Sequence, residues 1–241
     1  MTDAVTVIAS RLGRIGIDLV GTTSVAAYDA RVPADRRLGP HAHDARGVIV
    51  LGNGGTALWD AFRAAIPEAE TDDPLDHFTR RAVEAATRDL QEARCHFPFD
   101  RSAPRLDFRL LGELAGLGRP SLVGVLVHPT YGPWIALRAA VLLPIDVTAP
   151  RPSDGFDPCP TCVERPCIAA CPVGAVGTAG WDVAGCIAHR LADESHCAAG
   201  CTARLDCVYG RAHRYPPDAL AFHQAAARSM MVIHASASRK A

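Results

Sequence analysis

The stretch "CPTCVERPCIAACPVGAV", residues 159–176, holds four cysteines, and Pro172 follows the last of them. Its reading decides whether this part of the chain folds around a metal ion, closes on disulfides or wraps a redox cluster. Four further cysteines follow at Cys186, Cys197, Cys201 and Cys207, while Cys95 stands alone upstream. Eight of the nine cysteines therefore fall between positions 159 and 207.

The rest of the chain bounds the choice. Its 241 residues suit one large domain, or a medium domain and a small one. A hydrophobic content of 49% supplies a core. The net charge of -1 carries no strong nucleic-acid signal. No apolar run reaches the roughly 20 residues that cross a bilayer. The N-terminal "MTDAVTVIASRLGRIGIDLV" has an acid at Asp3 and lacks a basic region ahead of an apolar one, so it reads as neither a secretory signal nor a transit peptide. The expected location is cytoplasmic. In a reducing compartment, clustered cysteines are metal ligands before they are disulfides.

Cysteine placement also divides the chain. The segment "APRPSDGFDP", residues 149–158, has three prolines and a glycine and reads as a linker. We expect an α+β protein: residues 1–150 as an α/β domain, 155–215 as a cysteine-rich module, and 216–241 as a helical tail returning to the first domain. Within the first domain, "MTDAVTVIASRLGRIG" and "GTALWDAFRAAI" read as helices, and "IDLVGTTSV" and the apolar run "ARGVIVLG" as strands. "DPLDHFTRRAVEAATRDLQEARCHF" reads as one long amphipathic helix, with Asp72 or Asp73 as cap before Pro74. "RLDFRLLGELAGLG" is a helix ended by glycines, and "SLVGVLVHP" and "LRAAVLLPIDV" are strands.

The cysteine spacing favours iron–sulfur chemistry. Structural zinc prefers two short Cys-x-x-Cys pairs, and here Cys159 and Cys162 form one such pair. A four-iron cluster needs four thiolates around a cube, and three close cysteines in a loop can cover three of its corners. "CPVGAV" reads as the start of a short helix. The second group is wider, and Val208 stands where a proline after Cys207 would complete the pattern. A single cluster, and a structural zinc module for protein binding, remain as alternatives.

These cysteines resemble a bacterial-type two-cluster ferredoxin module, with four residues between Cys162 and Cys167 where two are usual. The resemblance implies a crossed ligand set, because the cysteine before the proline serves the other cluster. Chain geometry agrees, since a cysteine that leaves the loop is carried away from its first cube. One cluster would take Cys159, Cys162, Cys167 and Cys207, and the other Cys171, Cys186, Cys197 and Cys201. Upstream, "LAGLGRPSLVGVLVHPTYGPWIALRAAVLLP", residues 114–144, resembles a segment of the epoxyqueuosine reductase family. That family implies a cobalamin-binding, nitroreductase-like α/β domain fused to two [4Fe–4S] clusters. Electrons would pass from a donor such as a flavodoxin or a ferredoxin reductase, through the clusters, to a corrinoid and a small-molecule substrate. On this resemblance Asp100 is a candidate proton donor, with Asp107 as second candidate. Gly116, Gly118, Tyr131 and Trp134 become candidate cofactor contacts. The spacing from Asp100 to Pro104 differs from the family's, so a related corrinoid reaction is expected in place of epoxyqueuosine reduction. A ferredoxin-like carrier without an organic cofactor is the other functional class.

Other positions have a plainer reading beside the functional one. The glycines of "LGNGG", residues 51–55, can hold a phosphate at a helix start or make a simple strand-to-helix turn. Tyr131 and Trp134 can line a flat cofactor or sit in a core. His41 and His43 read as solvated loop histidines, His189 as packing near a cluster, and Cys95 as a small buried hydrophobe ending a helix. Arg204, Arg211 and Arg214 read as a solvated charge run.

Overall fold

A computed structural model describes residues 2–42, 44–65, 73–100, 105–148, 155–192 and 196–238. His43 and Asp72 lie outside these, as do most of the expected linker and the side chain of His41. The chain forms two compact units, one of residues 1–119 and 135–156, the other of 120–134 and 157–241. The expected boundary near residue 150 thus misses that 120–134 belongs with the cysteines. The described part of the tail, residues 216–238, belongs to the second unit.

The first unit is built on a four-stranded antiparallel sheet. Its strands are β1 (Leu19–Ser24), β2 (Gly47–Gly54), β3 (Arg94–His96) and β4 (Ile135–Leu143), in the order β1-β2-β4-β3. The two longest strands, β2 and β4, are central, and Val48, Ile49, Val50 and Leu51 are wholly buried with Ala139, Ala140, Val141 and Leu142. Their unbroken apolar runs reflect cover on both faces, where alternation would mark a half-exposed strand. Helices α1 (Thr2–Gly13), α2 (Ala57–Ala65) and α3 (Pro74–Thr87) provide apolar stripes, with Ile8 and Leu12, Leu58 and Phe62, and Leu75 and Val83 buried. Arg11 of α1 ties to α3 by donating to the Ala86 carbonyl at 2.8 Å.

The long helix expected through residue 97 stops at Thr87. The Thr87 hydroxyl donates back to the Val83 carbonyl, and Glu92 takes a positive φ of 63°. The chain then turns into β3, where Cys95 pairs with Val141, so Cys95 sits on a strand and does not end a helix. Pro74 stands at the start of α3 as expected, after Asp73, but the Asp73 side chain makes no cap bond.

Helix α4 (Phe108–Leu114) is capped by Asp107, whose carboxylate accepts from the Leu110 amide at 3.0 Å. Its far end closes as a Schellman pair: the Leu117 amide donates to Gly112 at 2.8 Å and the Gly116 amide to Glu113 at 3.0 Å. Gly116, at φ 74°, takes the left-handed position this motif needs.

The second unit is made of short pieces. Three single-turn helices span Pro158–Thr161, Pro166–Ala169 and Thr202–Leu205. A small hairpin pairs Val176–Gly177 with Gly180–Trp181. Two longer helices follow, α5 (Val183–Leu191) and α6 (Pro217–Ser238). α6 packs on α5, where Arg190 reaches the Gln224 side chain and Arg228 donates to the Leu191 carbonyl at 3.2 Å. "SLVGVLVHP" is mostly turn, with strand only at Leu126–Val127. Gly124 explains this, since its φ is +80° and an added Cβ would lie 2.3 Å from the Trp181 ring. The segment after Cys171 is also a turn and not a helix; the helix is the one before it, at Pro166–Ala169.

Candidate functional site

Cys159 lies within the turn Pro158–Thr161, which Pro158 starts, and Cys162 caps its end. Arg165 then takes a left-handed backbone at φ 43°, and Pro166 starts the next turn with Cys167 inside it. A non-glycine residue at such a φ is uncommon and is held in place by its surroundings. Here the Arg165 guanidinium donates back to the Cys162 carbonyl at 3.3 Å. This reversal absorbs the extra residues between Cys162 and Cys167. The Cys159 sulfur accepts from the Leu122 amide at 3.4 Å. Cys159, Cys162, Cys167 and Cys207 line one pocket together with Leu122, Val127 and Tyr209.

Cys207 reaches that pocket from a distant part of the sequence. The Tyr209 backbone pulls the Cys207 thiol part of the way back from the rise that burial gives it. At Gly210 the backbone also meets the loop at Tyr131 and Gly132 so closely that a Cβ on Gly210 would lie 2.1 Å from the Tyr131 carbonyl oxygen. The converse holds at Gly132, 2.3 Å from the Tyr209 oxygen.

Cys171, Cys186, Cys197 and Cys201 are the other set expected from the sequence. The Thr202 hydroxyl donates to the Ala170 carbonyl at 2.7 Å, which places the Cys201 turn beside the segment leading to Cys171. Cys186 lies on α5, whose cap is Asp182, accepting from the Gly185 amide at 3.0 Å. The Trp181 side chain and the Arg204 backbone hold the Cys186 and Cys201 thiols back from part of the rise that burial gives them.

The electrostatics divide the thiols in the same way. Burial pushes the Cys167 and Cys207 thiols up, and Cys159 and Cys162 push both further. Burial also raises Cys186 and Cys201; Cys197 adds to both, Cys171 to Cys186, and Cys186 to Cys201. Each of these four thiols thus feels cysteines of its own expected set. Among the described residues, no three His, Cys, Asp or Glu side chains converge as ligands of one metal ion. A cluster asks for something different, four thiolates spaced around a cube. The four sulfurs at one pocket, with a backbone N–H donor on Cys159, fit that donor chemistry.

The other candidates are placed as follows. Asp100 closes a turn, accepting from the Phe97 amide at 3.0 Å and pairing with Arg80, whose guanidinium lies 4.3 Å over the Phe97 ring. Asp107 is occupied as the α4 cap. Gly116 and Gly118 belong to the first unit, Tyr131 and Trp134 to the second. Trp134 is wholly buried, with Arg204 4.6 Å over its ring and Tyr215 at 5.4 Å. It is a core residue and offers no open face to a corrinoid. Tyr131 packs between His128 and His213, at 5.2 and 4.7 Å. Arg204 is not part of a solvated run, because it donates to the Pro133 carbonyl at 3.1 and 2.6 Å and stacks on two rings. Arg214 donates to the Leu205 carbonyl. His189 keeps a buried Nε2 without a hydrogen-bond partner among the described residues and stacks near His196 at 6.2 Å. In "LGNGG", residues 52–54 lie in β2, and the Gly54 amide donates to Asp18 at 3.0 Å. The plain reading of that turn fits.

One feature of the first unit carried no sequence signal. Leu51 pairs with Ala139 and Gly52 with Leu137, leaving Arg138 as the extra residue of a β-bulge. Its Nε donates to the buried Asn53 side chain at 2.7 Å. Asp76 nearby is pushed up by burial and pulled back by Arg138. Arg138 sits in a run of apolar residues, so a periodicity reading places it on a strand without revealing its partner.

No family model matches the chain, and no curated protein does. Solved structures do. Epoxyqueuosine reductase from Bacillus subtilis matches with a TM-score of 0.58 at 15% identity, over 87% of this chain and 66% of that one. The reductive dehalogenase NpRdhA matches at 0.52 and 19%, over 89% and 34%. CblC, a B12-trafficking protein of C. elegans, matches at 0.50 and 15%, over 62% and 74%. The fold is of this kind, and the chain spans just under two thirds of the length of the epoxyqueuosine reductase.

Proposed function

We propose that the chain is an iron–sulfur redox protein of the cobalamin-reductase kind, with two [4Fe–4S] clusters in its second unit. The observation that carries this reading is the gathering of Cys159, Cys162 and Cys167 with the distant Cys207 around one pocket. Cys171 falls electrostatically with Cys186 instead. A structural zinc site has no need of such an exchange between two sets, whereas paired cubes do. Fold likeness adds to it, because the neighbours include an epoxyqueuosine reductase, a B12-dependent dehalogenase and a B12-trafficking protein.

When bound, the clusters supply one-electron transfer, and a corrinoid would supply the organometallic chemistry. The chain's own part is to hold the thiolates, donate N–H groups to their sulfurs and keep water from them. Loading needs thiolates, so the raised Cys167, Cys186, Cys201 and Cys207 must each lose a proton as metal arrives. The corrinoid rests on fold likeness, since Trp134 does not suit a corrinoid wall. Asp100 serves as an acid only if it leaves Arg80 and the Phe97 amide. Little or no epoxyqueuosine reduction is expected, and robust complementation of a strain lacking it would overturn that expectation. A flavodoxin or a ferredoxin reductase is the class of donor proposed.

The test is an anaerobic titration of the iron-loaded protein with cob(II)alamin. Saturable spectral change with a base-off EPR signal is expected. No binding at high micromolar cofactor would leave a ferredoxin-like carrier without an organic cofactor.

A further inference from the structure

We propose that the turn at residues 121–124 belongs to the site of the cluster assigned to Cys159, Cys162, Cys167 and Cys207, and that its Leu122 amide raises that cluster's reduction potential through its hydrogen bond to the Cys159 sulfur. This rests on the two-cluster reading and deepens it.

The local sequence makes the donor available. "SLVG" has a serine first and a glycine fourth, a pattern the common β-turn favours. The Gly124 amide closes the turn on the Ser121 carbonyl at 3.1 Å. That bond uses the N–H of the fourth residue and leaves that of the second for other work. Leu122 is the second residue, and its N–H reaches the Cys159 sulfur at 3.4 Å. The turn is braced from its far side. The Ser121 hydroxyl donates to the Val125 carbonyl at 2.7 Å. Gly124 takes a φ of +80°, and a Cβ there would lie 2.3 Å from the Trp181 ring, so glycine lets the turn and the ring meet.

The same segment walls the site. Leu122, Val123 and Val127 line the pocket that the four cysteines share. Leu122 comes 37 residues before Cys159, and strand β4 of the first unit lies between them in the sequence. The surroundings of the first cluster are thus set in part outside the cysteine-rich stretch.

Electrostatics set the sign. A cluster that takes one electron from a reductant gains one negative charge, shared with its thiolates, and no bond is broken. An N–H donor on a thiolate stabilises the more negative state more strongly, which raises the potential. The apolar walls act the other way, because they keep water from the more charged state. Removing the N–H therefore lowers the potential, and trimming the Leu122 side chain does not.

The test compares Leu122→Pro with Leu122→Ala, each in the full chain, loaded anaerobically and titrated with dithionite under EPR detection. Proline is favoured at the second position of a β-turn and lacks the N–H, whereas alanine keeps it. With iron and sulfide unchanged, Leu122→Pro should move one of the two reduction waves down about tenfold in reduced-to-oxidised ratio, 59 mV for one electron, and leave the other unmoved. Leu122→Ala should move neither wave down. Both waves unmoved in Leu122→Pro at full iron content, or the same downward shift in Leu122→Ala, would overturn the proposal and leave the two-cluster reading intact. Wild-type protein without iron would remove the reading itself. A second measurement does not depend on the proline variant holding iron. Wild-type protein carrying 15N-leucine should show nitrogen coupling to a reduced cluster by ENDOR, and Leu122→Ala protein labelled in the same way should lose it. No such coupling in the wild type, or the same coupling in Leu122→Ala, would also overturn the proposal.

Discussion

Cys159, Cys162 and Cys167 lie within nine residues, on two proline-started turns joined by the left-handed Arg165. Cys186, Cys197 and Cys201 spread over sixteen, on α5 and beyond it. The first group is shaped by local backbone chemistry that the sequence displays. The second is held by parts of the chain that come later. Leu220 of α6 approaches Gly200, and Arg190 and Arg228 join α5 to α6. The two groups of cysteines thus depend on different supports, one short-range and one long-range.

The largest effects should come from the two crossing cysteines. Cys171→Ala should strip the cluster at Cys186, and Cys207→Ala the cluster at Cys159, each leaving about four irons of about eight. Iron analysis with EPR of the surviving cluster distinguishes them. Loss of the Cys159 cluster in Cys171→Ala would break the crossed assignment.

Next in size is removal of residues 217–241. That cut takes away the helix on which α5 packs. The cluster at Cys186, Cys197 and Cys201 should become labile in air, while the other persists at its usual rate. Equal loss from both sets would show that the support is shared.

Gly210→Ala acts on the first set alone. Its φ is +64°, and the added Cβ would meet the Tyr131 carbonyl at 2.1 Å. Strain of this kind costs about 1–3 kcal/mol. The Cys207 arm should shift, so thermal unfolding should come earlier and the Cys159 cluster should be lost first. Unchanged stability and iron would mean that the approach is not constraining.

The smallest effect concerns the apo-protein. The Cys201 and Cys207 thiols are pushed up by burial. The thiolate is the reactive form, so their alkylation should lag a free cysteine near neutral pH. It should catch up only above the ordinary thiol range of about 8.5. Mass spectrometry of alkylation against pH checks this, and free-cysteine rates at pH 7 would contradict it.

How much of this was legible in the sequence follows the same division. Strand β2 announced itself as an apolar run, α3 by its stripe and Pro74, and α4 by its glycine end. That Cys159, Cys162 and Cys167 lie at one pocket follows from their short spacing, whereas nothing near Cys207 marks that it joins them. The end of α3 was not readable, because residues 88–97 have ordinary helical composition and what stops them is the pairing of β3 with β4. The strand expected at 121–129 failed at Gly124, whose positive φ leaves room for a tryptophan 57 residues further on. Arg204 looked like a surface charge because nothing local marks Pro133, Trp134 and Tyr215 as its partners. Contacts between distant segments decided each of these.

The most direct measurement is the iron and acid-labile sulfide content of the chain purified without oxygen. The account predicts about eight of each per chain, the content of two [4Fe–4S] clusters, with visible absorption that bleaches under dithionite. A colourless protein carrying zinc and no labile sulfide would contradict it.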